Sequence, residues 1–60
     1  MYVIERIDIK RRHDERWTAV IERYCCETET FADISLEGTS LGAVTAQILD
    51  LHVNGGGVLK

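Results

Sequence analysis

The residues with side chains able to do chemistry are few. His13 is followed directly by Asp14 and Glu15, Cys25 is adjacent to Cys26, and His52 lies near the far end of the chain. A histidine beside carboxylates is the material of general acid–base catalysis, and a thiol with a histidine base is that of nucleophilic catalysis. Both need a desolvated pocket, whereas "RRHDER", Arg11 to Arg16, is a fully polar run that reads as an exposed hairpin connection. His13 and His52 stand at no recognised metal-ligand spacing from the cysteine pair. The run "GGG", Gly55 to Gly57, follows a helix instead of opening one, so it is not a phosphate loop. No catalytic, cofactor-binding or metal-binding residue is assigned, and the chain is not expected to be an enzyme.

Charge carries more information. Residues 1–24 hold six Lys/Arg against five Asp/Glu, while residues 25–60 hold one against five. Glu27, Glu29, Asp33 and Glu37 lie close together, and on a strand Asp33 and Glu37 share a face with Phe31. Such a set is suited to docking on a Lys/Arg-rich protein surface, with Phe31 as an anchor and the acids steering the encounter. The basic cluster Lys10, Arg11, Arg12 and Arg16 is diluted by Asp14 and Glu15 and has no interleaved aromatic. Direct binding to nucleic acid, which needs a continuous basic surface, is therefore not expected.

The elements that must position these residues follow from periodicity. "IDIK", Ile7 to Lys10, alternates apolar and charged residues as a half-buried strand does, and Val3 extends its apolar face with Glu5 interrupting. Trp17 to about Cys26 is rich in strand-formers. Ala19 and Ile21 fall on one face and Val20 and Tyr24 on the other, as expected of a central strand or of one whose second face is covered. "ETET", Glu27 to Thr30, reads as the second reversal, and "TFADISLE", Thr30 to Glu37, as a third strand with Ala32, Ile34 and Leu36 on its inner face. Cys25 and Cys26 point to opposite faces and do not pair, which leaves two reduced thiols, one packed in the core.

After Gly38, a hydroxyl from Thr39 or Ser40 caps a helix running to about Val53, and "NGGG" stops it. Leu41, Val44, Ile48 and Leu51 form the stripe that meets the sheet. Gly42, Ala46, Leu49 and Val53 form a second stripe, which reads either as an edge of the same core or as a self-association face. Gly42 costs about 1 kcal/mol relative to Ala in a helix interior, a cost best explained by close packing there. The expected fold is α+β in the order β-β-β-α: a three-stranded antiparallel sheet, four-stranded if Val58 and Leu59 add an edge, with one helix on one face. Residues 1–60 form a single domain.

No stretch approaches the roughly 18 apolar residues of a membrane span, and "MYVIERIDIK" lacks the apolar block of a signal peptide, so the expected location is the cytoplasm with no membrane partner. In size, acidity and element order the chain resembles small phage-encoded inhibitors, anti-CRISPR proteins among them. That resemblance implies a non-catalytic protein that occupies a surface of a nucleic-acid-handling or defence complex in the host cytoplasm. "EGTSLGAV", Glu37 to Val44, also resembles the Gly-Thr-x-x-x-Ala-type start of the helix in HicB-type antitoxins, which implies a homodimeric regulatory or structural domain. That family's Pro-x-x-x-Gly signature has no counterpart here, because the chain contains no proline.

Overall fold

A computed structural model describes residues 1–59; Lys60 lies outside the described residues. The elements are β1 (Tyr2–Arg11), β2 (Trp17–Cys25), β3 (Thr30–Phe31), β4 (Ile34–Gly38), α1 (Leu41–Val53) and β5 (Val58–Leu59). β1 and β2 make a long antiparallel hairpin, and β3 and β4 both pair antiparallel with β2 on its other side. The fold is α+β, as the patterning predicts. The sheet, however, is mixed: β5 runs parallel to β1, pairing Val3 with Val58 and Ile4 with Leu59. A purely antiparallel sheet is thus corrected, because α1 returns the chain to the far edge of β1 in the direction that β1 itself runs.

Two local irregularities depart from simple alternation. β1 pairs Ile4 with Arg23 and then Arg6 with Glu22, so Glu5 is the extra residue of a β-bulge. A bulge reverses which residues face inward: Ile4, not Val3, joins Ile7 and Ile9 on the helix-facing side, and Ile4 is buried. The expected third strand is also divided. Phe31 pairs with Tyr24 and Ile34 with Ile21 in one register, with Ala32 and Asp33 as a break between β3 and β4. The Ala32 N–H still donates to the Arg23 carbonyl at 2.8 Å, which holds the register across the break.

α1 begins where the Ala43 N–H donates to Ser40 Oγ at 3.1 Å, so Ser40 and not Thr39 is the cap. Its end is a Schellman arrangement in which Gly55 donates to the His52 carbonyl and Gly56 to the Leu51 carbonyl. Gly55 takes φ +80°, a conformation that L side chains rarely adopt. Gly57 is constrained by space instead, since a Cβ there would lie 2.5 Å from Ile4 Cγ1. The triple glycine is therefore a stop signal and also the close crossing that returns the chain to β1. Gln47 Nε2 donates to the Glu37 carbonyl at 2.6 Å and holds the helix against β4.

The core between α1 and the sheet is small: Ile4, Ala19, Ile21, Cys25 and Val44 are buried. The other face of the sheet is covered by nothing in the chain, which is why Val20 is exposed despite its place in the central strand. The molecule is a flat slab of 38 × 19 × 14 Å. Its radius of gyration is 11.9 Å, against about 10.4 Å for an average domain of this length. It exposes 4286 Å², against roughly 4000 Å² for a typical protein of this mass.

Candidate functional site

Three surfaces draw on the residues singled out in the sequence: the outer face of α1, the acidic turn with the strand after it, and the tip of the β1–β2 hairpin. α1 lies along the sheet from the Gly38 end of β4, where Val44 packs against Gly38, to the end where Gly57 meets Ile4 and Arg23. Val44, Ile48 and Leu51 face the sheet, with Val44 fully buried, whereas Leu41 of the expected inner stripe is 45% exposed. At about 100° per residue, Gly42, Ala46, Leu49 and Val53 lie on the side diametrically opposite. All of them are exposed, Leu49 at 61% and Val53 at 72%. The second stripe is thus no edge of the core. Nor does the chain fill the space over Gly42, where the nearest atom to an added Cβ would be Ser40 Oγ at 3.9 Å.

The acidic residues lie in two places. Glu27 and Glu29 belong to the turn after β2, and Glu29 adopts a left-handed φ of 56° there. Glu27 bonds the Met1 amine through Oε1 and accepts from the Cys25 thiol through Oε2 at 3.6 Å. The bond from the amine pulls the Glu27 carboxyl below its ordinary range, and the same bond raises the amine. Hydrogen bonds from the Thr28 side chain and backbone lower the Cys25 thiol. Cys25 is buried and Cys26 exposed, as opposite-facing neighbours should be.

Phe31, Asp33 and Glu37 lie along the open side of the sheet and all are exposed. Phe31 stands edge-on to Tyr24 with ring centroids 5.4 Å apart. Glu37 makes an ion pair with Arg16 at 3.6 Å, which leaves Asp33 as the acid nearest Phe31 along the strand. β1 adds Arg6, Asp8 and Lys10 to this side, with Arg6 and Asp8 paired at 3.6 Å. The open face is accordingly of mixed charge, and the acids concentrate at the turn.

Arg23 is the residue that sequence reasoning missed. Its Nε donates to the Ala32 carbonyl at 3.0 Å, its Nη1 donates to the Gly56 carbonyl at 2.6 Å, and its guanidinium lies 4.1 Å from the centre of the Tyr2 ring. It joins the strand break, the glycine crossing and β1, so it organises the end of the slab where the acidic turn sits. Its position in a strand directed toward the core was the available signal, since a cation there requires partners. His52 closes the same end by donating from Nδ1 to the Gly57 carbonyl at 2.8 Å.

At the opposite end of β2, the hairpin tip holds His13, Asp14 and Glu15, all exposed. Among the described residues, no three His, Cys, Asp or Glu side chains come together in a way that could hold a metal ion. No described helix is long and apolar enough to cross a membrane. No protein-family model, curated protein or solved structure matches the chain.

Proposed function

We propose that this chain is a non-catalytic protein-binding module that occupies a surface of its target, in the manner of a small inhibitor of a nucleic-acid-handling or defence complex. The observation that carries this reading is the outward side of α1, where Leu49 and Val53 are among the most exposed large apolar residues of the molecule. Those two residues lie toward the end of the slab that also carries Glu27 and Glu29. An apolar anchor beside an acidic rim matches a protein partner with a basic surface: burial of Leu49 and Val53 supplies affinity, and the acids speed and orient the encounter.

The test is affinity capture from the native host, comparing the wild-type chain with L49Q/V53Q and with E29K. A protein retained by the wild type and lost by both variants supports the reading. Equal capture by all three refutes it.

A second reading is favoured by the free space over Gly42 and the exposure of Ala46 beside it: two copies meeting through the outer faces of α1 as a homodimeric regulatory or structural domain. Small residues let helices approach closely, and Leu49 and Val53 would then bury each other. Light scattering at high concentration distinguishes the two readings, because a monomeric mass removes the second and leaves the first.

A further inference from the structure

The hairpin tip carries an inference independent of the helix face. Lys10, Arg11, Arg12, His13 and Thr18 line a shallow cleft of about 380 Å³ at the end of the β1–β2 hairpin. Asp14 and Glu15, which in sequence dilute this cluster, do not line it. Asp14 turns to Arg16, accepting from its backbone N–H at 3.3 Å and pairing with its Nε at 3.8 Å. Glu15 sits in the turn with a left-handed φ of 63°. Arg16 is engaged by Asp14 and by Glu37. Among the described residues, Lys10, Arg11, Arg12 and His13 form no ion pair. Asp14 and Glu37 are thus engaged by Arg16, and the cations that line the cleft are left without an acidic partner at the hairpin end.

We propose that this cleft binds phosphate groups, and that its ligand is the phosphodiester backbone of a nucleic acid. Guanidinium forks and the Thr18 hydroxyl are suitable donors to phosphate oxygens. The shape selects the polymer. Small-molecule sites enclose most of their ligand, whereas this cleft is open and gathers its cations around one exposed hairpin end, where a strand laid across the tip can meet more than one of them. The sequence argues against such binding because Asp14 and Glu15 interrupt the basic cluster, whereas in the structure neither lines the cleft and Asp14 is held by Arg16. The structure places Glu27 and Glu29 at the other end of the slab, about 26 Å away along the length of β2.

The experiment is fluorescence anisotropy of a labelled DNA duplex of about 20 base pairs titrated with the intact chain, at about 50 mM and about 200 mM NaCl. If about three phosphates are neutralised, affinity falls about 40-fold over that fourfold rise in salt. R11Q/R12Q, at exposed positions where circular dichroism should show an unchanged fold, should bind more weakly and lose only about fourfold. Competition separates the ligand chemistries. Displacement of the duplex by unlabelled single-stranded oligonucleotide at concentrations where pyrophosphate and poly-glutamate of equal charge fail supports the proposal. Three results overturn it: no binding at low salt, an unchanged salt dependence in the double variant, or displacement by poly-glutamate as effective as by the oligonucleotide, which would assign the tip to an acidic protein. None of these outcomes depends on Leu49 or Val53, so this proposal can fail while the protein-binding reading stands.

Discussion

The two sides of α1 have similar residue types and opposite circumstances. Val44, Ile48 and Leu51 are pressed against the sheet, and Gly42, Ala46, Leu49 and Val53 face water on the side directly away from it. A helix that served its own fold alone would carry polar residues outside, as surface helices do. The inner side satisfies a need of the fold, whereas the outer side answers none that the chain itself presents. It is this surplus apolar side, in a slab with only one layer over a sheet, on which the proposed function rests.

Four measurements would break or sharpen that contrast. The largest effect is expected on the inner side: V44A removes a fully buried side chain and should lower stability by about 2 kcal/mol in urea titration. A loss below about 0.5 kcal/mol would mean that the inner side is not the packed one. The thiols report the same asymmetry by another route. Cys26 should react with a thiol reagent at least about tenfold faster than buried Cys25, whose modification needs local opening, and equal rates would contradict the packing of β2.

On the outer side, G42A should raise stability by roughly 0.5 kcal/mol, because a methyl group there meets open space and Ala is the better helix former, with the gain reduced in the first turn of α1. If the same substitution weakens partner capture, Gly42 is conserving space for a partner and not for the fold; if stability falls, the outer side is already packed in the free protein. The smallest effect belongs to L49Q/V53Q, which should change stability by less than about 0.5 kcal/mol while abolishing capture.

The turns offer a further lesson in what sequence shows. Neither reversal contains Gly, Asn or Pro at the critical position, and the structure resolves both in the same way, with Glu15 and Glu29 in the left-handed region at φ 63° and 56°. Such a conformation costs a non-glycine residue roughly 1–2 kcal/mol, so the pairing of the flanking strands, and not the turn residues, sets where the chain reverses. This is why the reversals are legible as polar gaps between apolar runs but their geometry is not. The candidate surfaces divide in the same manner. The second helix stripe is legible from spacing, but its complete exposure depends on where the sheet lies. The acids are legible as a cluster, but Glu37 is claimed by Arg16 and Glu27 by the Met1 amine through contacts that no local pattern announces.

By itself the sequence determines the β1–β2 hairpin, the span of α1 and its glycine stop, the opposite orientations of Cys25 and Cys26, and the α+β class, because each rests on interactions between residues near in the chain or on the period of a single element. Tertiary structure alone decides the bulge at Glu5, the break at Ala32 and Asp33, the parallel pairing of β5 with β1, the Arg23 bridge and the pairing of Glu37 with Arg16. Each of these is settled by groups far apart in sequence competing for the same space or the same hydrogen bond, and such a competition has no outcome until the chain has folded.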